Sequence, residues 1–116
     1  MTDDCLFCRI VAGEIPATVV HETDDTLAFR DIDPKAPVHV LVVPRAHHTD
    51  VAALVTADPA LAGRVLAACA LVAEQEGLAG DGYRVIFNTG RFGGQEVFHV
   101  HGHVVGGKPL GRMLSA

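Results

Sequence analysis

The sequence predicts an α+β fold, with a five-stranded, mostly antiparallel sheet, one long helix and one or two short helices. Three observations favour this class. Short segments rich in β-branched residues alternate with turn residues. One alanine-rich stretch repeats apolar residues at helical spacing. The connections between strands are mostly short, which suits antiparallel pairing. We expect residues 1–116 to form a single domain, because 116 residues with 49% apolar side chains suffice for one core.

The first half of the chain supplies a short helix and three strands. A short helix or turn is predicted for Cys5 to Ala12, and it ends at the punctuating segment Gly13-Glu14-Ile15-Pro16. Two strands, Ala17 to Glu22 and Thr26 to Arg30, flank an acidic turn and form a hairpin. After a loop with two prolines, the nearly continuous apolar run Val38 to Val43 predicts a central strand.

The second half supplies the long helix and two strands. A short helical turn is expected around Val51 to Leu54. Asp58, followed by a proline, predicts the start of the long helix, and Gly77 predicts its end. The last two strands are predicted at Tyr83 to Asn88 and at Val97 to Val105, with a glycine-rich loop between them.

Charge and hydropathy exclude some classes of partner. The net charge of −5 gives no support for nucleic-acid binding, which would need a basic face. The longest apolar run is much too short to span a bilayer. The opening Met1-Thr2-Asp3-Asp4 does not match a signal peptide. We therefore expect a cytoplasmic protein without nucleic-acid or membrane partners.

The segment His99-Val100-His101-Gly102-His103 carries the strongest chemical signal. In a strand, alternate side chains share a face, so all three imidazoles would lie on one side of the sheet. Phe98, Val100 and Val104 would then face the core. A neutral imidazole can act as a nucleophile, a proton carrier or a metal ligand.

The loop before the histidines is suited to phosphate. Glycine-rich backbone such as Gly90 to Gln95 can approach a phosphate closely and offer N–H groups to it. Asn88 and Gln95 can add side-chain donors. Beside the histidines, this loop predicts phosphoryl or nucleotidyl transfer, although the glycines alone would indicate only a turn.

Two cysteines indicate a second site. Cys5 and Cys8, joined by His99 and by either His47 or His48, would supply the four ligands of a closed tetrahedral zinc site. The alternative is a pair of free thiols. A thioredoxin-like redox pair is disfavoured, because no strand precedes the cysteines and no βαβ unit follows.

An acidic residue at a strand end suggests a nucleoside pocket. Asp31 lies between Phe29 and Ile32, so its carboxylate could hold ribose hydroxyls while a base packs on apolar side chains. The alternative is that Asp31 only caps a turn.

Together these segments resemble the histidine-triad (HIT) family, whose motif alternates three histidines with apolar residues. The similarity extends over nearly the whole chain and is greatest to the Hint branch of nucleoside phosphoramidases. The matching segments are Cys5–Ile10, Gly13–Pro16, Ala28–Ile32, Pro34–Pro44, Gly82–Arg84, Asn88, Gly93–Gln95, the triad and Gly106-Gly107.

The resemblance implies a role for each histidine of the site. His101 would attack the α-phosphorus and form a nucleotidyl-histidine that water cleaves. His103 would bind the phosphate and help the leaving group, and His39 would line the active site. The implied zinc ligands are Cys5, Cys8, His47 and His99, with His47 preferred because it lies three residues after Pro44.

The resemblance also implies the nucleotide contacts. Asn88 and Gln95 would contact the phosphate and the ribose side, and Asp31 would bind the ribose hydroxyls. The apolar purine pocket would be formed by Phe7, Ile10, Phe29 and Ile32.

The implied activity is hydrolysis of purine nucleoside 5′-phosphoramidates by a homodimer that binds purine nucleotides such as AMP, GMP or a phosphoramidate. Three alternatives remain: a dinucleoside polyphosphate hydrolase of the same family, a nucleotide-binding or interaction protein with incidental catalysis, and a metal-binding module in which all three triad histidines hold metal.

Two positions depart from the family pattern. Gly102 replaces an apolar residue of the motif and would weaken the packed face of the strand. Glu96 stands where some relatives have a serine near the phosphate or leaving group. A carboxylate there would repel a phosphate unless it faces a cationic leaving group.

Overall fold

The computed structural model describes residues 4–114, so the opening residues Met1 to Asp3 lie outside it. It contains three helices and five strands. In chain order they are α1 (Leu6–Val11), β1 (Val19–Glu22), β2 (Thr26–Arg30), β3 (Val38–Pro44), α2 (Val51–Ala57), α3 (Pro59–Gln75), β4 (Tyr83–Ile86) and β5 (Gly102–Gly106).

The strands form one antiparallel sheet in the order β1-β2-β3-β5-β4. Strand β3 lies at its centre, where the continuous apolar run predicted it. The crossover through α2 and α3 returns the chain to the far edge, so that β5 inserts between β3 and β4. The predicted α+β class, with five antiparallel strands and one long helix, is confirmed.

Side chains of β3 alternate between the two faces of the sheet, and each face packs against different helices. Val40 and Val42 are fully buried in the main core with α2 and α3. Leu41 and Val43 point to the other face, where they pack with Phe7 of α1. The long helix therefore covers one face, while the short α1 covers part of the face that holds the site.

Helix α3 begins and packs as its sequence predicts. Asp58 is the N-cap, and its carboxylate accepts a hydrogen bond of 3.0 Å from the Leu61 N–H. The buried positions recur at helical spacing against the sheet. Arg30 of β2 also makes two hydrogen bonds with Glu76 at the end of α3, at 2.8 and 3.1 Å, which join helix and sheet.

The last strand is shorter than predicted. It runs over Gly102–Gly106 rather than Val97 to Val105, and its pairing with β3 begins at Gly102 opposite Val42, two residues before β3 ends at Pro44. The Pro44 carbonyl accepts a hydrogen bond from the His99 ring, and the Val100 N–H bonds to the His48 carbonyl instead of a strand. The prediction that Phe98 lies in the core is wrong, since this side chain is 52% exposed.

Gly102 allows two side chains of the main core to approach the backbone. A Cβ at this position would lie 2.8 Å from the Phe87 ring and 3.0 Å from the Cys69 Sγ, both closer than normal contact. The glycine therefore does not leave the strand unpacked. Phe87 and Cys69 occupy the space that a side chain at residue 102 would enter.

Within residues 4–114 we find no helix with the length and apolar character needed to cross a membrane.

Candidate active site

The three triad histidines lie on the sheet face opposite α3, although only His103 belongs to strand β5. The period-two alternation continues through the irregular segment before the strand, so Val100 and Val104 both enter the main core. The ring centroids of His101 and His103 are 4.9 Å apart. The predicted common face is therefore present, but each imidazole has its own surroundings.

The backbone fixes the tautomer of His101. Its Nδ1 lies 2.7 Å from the His99 carbonyl oxygen, which can only accept a hydrogen bond. The hydrogen of the neutral ring must therefore be on Nδ1. Nε2 is left with a free lone pair, which is the arrangement that a nucleophilic imidazole requires.

A second histidine fixes the tautomer of His103. The backbone N–H of Lys35 donates to Nδ1 of His39 at 3.0 Å, so the hydrogen of a neutral His39 ring is on Nε2. This Nε2 lies 2.9 Å from Nδ1 of His103 and 3.3 Å from a carboxylate oxygen of Asp31. His103 Nδ1 accepts, and its own hydrogen is on Nε2.

Burial keeps these rings neutral. It lowers the pKa of His101 and of His39 below 6.5. Burial, with smaller contributions from the neighbouring His101 and His39, lowers the pKa of His103 to about 4. At neutral pH the site therefore offers a lone pair on His101 beside an N–H donor on His103.

This burial predicts a loss of stability in mild acid. The pKa of His103 is about 4 in the folded protein against 6.5 for the ordinary imidazole, so unfolding takes up a proton between these values. The free energy of unfolding should fall as the pH drops from 6.5 to 4. Protonation of this one ring can change the free energy of unfolding by at most about 1.4 kcal/mol per pH unit, and the partial exposure of the ring makes the change smaller. Urea unfolding at pH 7 and pH 5 measures the effect. The variant His103→Asn should show a shallower pH dependence, and an unchanged one would contradict the assignment.

A cavity of about 290 Å³ opens beside His101 and His103. Its wall is largely apolar, and Asp31 contributes a carboxylate. Seven of the predicted nucleotide-contact residues line it: Phe7, Ile10, Phe29, Asp31, Ile32, Asn88 and Glu96. The lining residues that were not predicted are Leu6, Ile15, Pro16, Ala17, Arg30, Leu41 and Val97, whereas Gly94 belongs to the glycine-rich loop expected to approach a phosphate. No periodicity marks the Ile15–Ala17 segment, because it lies between elements.

Gln95 is placed differently from the expectation. Its side chain is buried, its Oε1 accepts from the Gly90 N–H at 2.9 Å, and its Nε2 donates to the Thr49 and Val97 carbonyls at 2.7 and 3.1 Å. Both amide hydrogens are thus used within the protein, and Gln95 is not among the residues that line the cavity. Its side chain fixes the glycine-rich loop, and the expected donation from this side chain to phosphate is not supported.

A second cavity, of about 430 Å³, lies on the other side of His103. It shares Asp31, Asn88, Glu96 and His103 with the first cavity. Lys35 and Arg84, which were not predicted as site residues, add basic side chains to this second cavity. Glu96 is thus at the boundary of two spaces, with the predicted base pocket on one side.

The predicted cysteine and histidine ligands come together. The ligand atoms of Cys5, Cys8, His47 and His99 all lie within 4.8 Å of one another. The Sγ atoms of both cysteines are 3.4 Å from Nδ1 of His99, and the Cys8 Sγ is 3.4 Å from Nδ1 of His47. The cluster uses His47 rather than His48, as the family pattern implied.

The donor set fits a metal ion. Sulfur and nitrogen ligands of a tetrahedral metal lie about 3.5 Å from each other, given the usual metal–ligand bond lengths. The His99 ring donates from Nε2 to the Pro44 carbonyl at 2.8 Å, which turns its Nδ1 lone pair towards the cysteines. Burial lowers the pKa of His99 to about 4, which keeps that lone pair available. The residues present can therefore hold a metal.

The triad does not form one metal site among the described residues. His99 groups with the cysteines, whereas His103 groups with Asp31 and His39. The Nδ1 of His101 is occupied by the hydrogen bond to a carbonyl. The alternative in which all three triad histidines bind one metal is therefore not supported.

The fold and this arrangement of histidines define a known class of protein. The HIT domain family model matches residues 12–110, and the chain belongs to this family.

Individual relatives are similar in sequence to this chain over nearly its full length. The chain is 45% identical to the purine nucleoside phosphoramidase of Escherichia coli K12 over 115 residues, which cover 99% of this chain and 97% of that protein. It is 43% identical to the 14 kDa zinc-binding protein of Brassica juncea, with 92% and 96% covered. Among solved structures, a HIT family hydrolase from Legionella pneumophila superposes with a TM-score of 0.88 at 46% identity, covering 92% of this chain and 96% of that one.

Proposed function

We propose that this protein hydrolyses purine nucleoside 5′-phosphoramidates through a nucleotidyl intermediate on His101. The observation that carries the proposal is the pair of complementary tautomers at the cavity. His101 offers a lone pair on Nε2 because its Nδ1 donates to a backbone carbonyl, and His103 offers an N–H because its Nδ1 accepts from His39. The full-length similarity to a purine nucleoside phosphoramidase supports the choice of substrate.

The first cavity would bind the nucleoside. The purine would pack between the apolar side chains of α1 and β2, of which Phe7 and Phe29 are in edge-to-face contact, with ring centroids 5.5 Å apart. Asp31 would accept hydrogen bonds from the ribose hydroxyls, and Asn88 would contact the phosphate or ribose. This pose puts the phosphorus beside His101.

The chemistry would proceed in two displacements. In the first, the His101 Nε2 lone pair forms a bond to phosphorus while the P–N bond of the substrate breaks. The leaving nitrogen takes the bonding pair and a proton that comes from solvent through His103. In the second, water adds to phosphorus, the bond to His101 breaks and its electron pair returns to Nε2, and a proton passes to solvent. The products are an amine and a nucleoside monophosphate.

The substrate class is tested by direct comparison. We expect the kcat/KM for adenosine 5′-phosphoramidate to exceed that for diadenosine polyphosphates by at least about 100-fold, which corresponds to about 2.7 kcal/mol of transition-state discrimination. Both reactions can be followed by release of AMP. Faster cleavage of the dinucleotides would favour the second branch of the family instead. Tight AMP binding without turnover of either substrate would favour a binding protein.

We also propose that the Cys5, Cys8, His47 and His99 cluster binds structural zinc. Two thiolates and two imidazoles form the donor set of closed zinc sites, and the similarity to a protein named for zinc binding supports this metal. When bound, the ion would hold α1 to the segment before β5.

Zinc analysis gives a sharp expectation for this cluster. The purified protein should contain about one zinc per chain, and Cys5→Ser should lose at least about 90% of it, because a lost ligand opens the closed site. The matched control is Cys69→Ala, which removes a buried thiol outside the cluster and should retain the metal. Retention of zinc by Cys5→Ser would contradict the ligand assignment.

We further propose that two copies associate into a homodimer, as the family resemblance implies. The exposed apolar side chains Leu66 and Leu71 on α3 and Tyr83 on the edge strand β4 support this proposal. Sedimentation equilibrium tests it. A cytoplasmic location, and the lack of nucleic-acid and membrane partners, stay predictions of the sequence.

A further inference from the structure

The cysteine cluster and the nucleophile are connected through one residue. The His99 side chain presents Nδ1 to both cysteines, while the His99 backbone carbonyl accepts the hydrogen bond from His101 at 2.7 Å. Residues 97–101 lie outside the sheet ladder, so strand pairing does not fix this carbonyl. Its position depends on the contacts of the segment, which include the two cysteines of the cluster, the Pro44 carbonyl and the His48 carbonyl.

Helix α1 provides a second connection. It has only six residues, too few to be stable without tertiary contacts. Cys5 caps it and Cys8 lies within it, so two of the four cluster residues belong to this element. Between them, Phe7 meets the His101 ring edge-on, with centroids 4.9 Å apart and an interplanar angle of 90°. Phe7 also contacts the His99 ring, with centroids 6.1 Å apart.

We propose that metal binding by the cluster positions the nucleophile and shapes the nucleotide cavity. This inference rests on the proposed function. The metal joins α1 to residue 99. Helix α1 contacts the His101 ring through Phe7, and residue 99 contacts it through its backbone carbonyl. His99 and Phe7 are accordingly positioning residues: the first orients the ring through its carbonyl, and the second packs against the ring and lines the cavity.

The expected consequence is a loss of alignment without loss of the fold. The main core between α3 and the sheet contains no member of the cluster, so it should persist when the metal is removed. The His99 carbonyl and Phe7 should then move, and displacement of a reacting group by about 1 Å can reduce a rate by about 100-fold. AMP should also bind more weakly, because α1 forms one wall of the cavity.

The experiment compares zinc-loaded and chelator-stripped forms of wild type, Cys8→Ser and Cys69→Ala. Three quantities are measured: the single-turnover rate at saturating adenosine 5′-phosphoramidate, the Kd for AMP, and the ¹⁵N chemical shifts of the His101 ring. We expect stripping to lower the wild-type rate by about 10- to 100-fold, to weaken AMP binding at least about 5-fold, and to mix the two His101 tautomers. Added zinc should restore wild type and Cys69→Ala but not Cys8→Ser.

The proposal is overturned if stripped wild type keeps its rate, its AMP affinity and a single His101 tautomer. In that case the cluster would stabilise the chain without affecting the position of His101. If the zinc-loaded protein fails to cleave the phosphoramidate, the proposed function fails, but the AMP affinity and the His101 shifts still decide the coupling.

A variant that retains the metal covers the case in which stripping unfolds the chain. Phe7→Leu keeps all four cluster residues and removes the edge-on contact with His101. We expect a full complement of zinc, an unchanged unfolding cooperativity and a single-turnover rate at least about 5-fold lower at saturating substrate. An unchanged rate would overturn the role of Phe7 as a positioning residue.

Discussion

Replacing His101 by alanine should reduce turnover of adenosine 5′-phosphoramidate by at least about 10⁴-fold, because the residue supplies the lone pair that attacks phosphorus. The buried ring has its Nδ1 held by a carbonyl, and no other described imidazole with a free Nε2 lone pair lines the cavity. Intact-mass analysis of an acid-quenched reaction should show a nucleotide adduct on the wild-type protein and none on the variant.

The control for this experiment is His21→Ala. His21 lies on the edge strand β1, two strands away from β3, and outside both cavities. This variant should keep at least about half of the wild-type rate. Circular dichroism of His101→Ala should match wild type, so that unfolding does not explain the loss. A His101→Ala protein with full activity, or an adduct that persists in it, would refute the nucleotidyl-histidine mechanism.

The substitution Gly102→Val should destabilise the protein by about 1–3 kcal/mol, although it restores the apolar residue of the family motif. The Cβ alone would lie 2.8 Å from the Phe87 ring, and Cys69 on the rigid helix α3 lies 3.0 Å away on the same side. Urea unfolding gives the free energy directly.

A double variant tests whether Phe87 is the cause. In Gly102→Val/Phe87→Leu, the smaller side chain vacates the space that valine needs. The double variant should therefore be more stable than the sum of the two single changes predicts, by at least about 0.5–1 kcal/mol. Strict additivity would show that the two residues do not compete for this space and would refute the explanation of Gly102.

Several elements follow from local pattern alone. The continuous apolar run predicts β3 with nearly correct bounds, and the Asp58-Pro59 start predicts α3. The alternation of the histidines predicts their common face, although only His103 belongs to strand β5. Local pattern alone did not predict the full ligand set of the metal cluster, because only the family pattern distinguishes His47 from His48.

Other features depend on contacts that no local pattern records. The segment before β5 bonds to the Pro44 and His48 carbonyls rather than pairing as a strand, and the Gln95 side chain is held by the Thr49 carbonyl. The fit of Gly102 depends on side chains from β4's end and from α3. The tautomers of His101 and His103 follow from a carbonyl and from a second histidine, both of which become visible only in three dimensions.

The oxygen that orients His101 belongs to the main chain, and this has an evolutionary consequence. A side-chain acceptor, such as the aspartate of a serine protease, can be deleted by one mutation. The His99 carbonyl is present whatever amino acid occupies residue 99. A lineage that exchanges the side chain at residue 99 therefore loses a ligand of the metal cluster and the alignment that the metal gives to His101, but it keeps a hydrogen-bond partner for the His101 ring. Mutational drift at this position would alter where the acceptor lies, but could not abolish it.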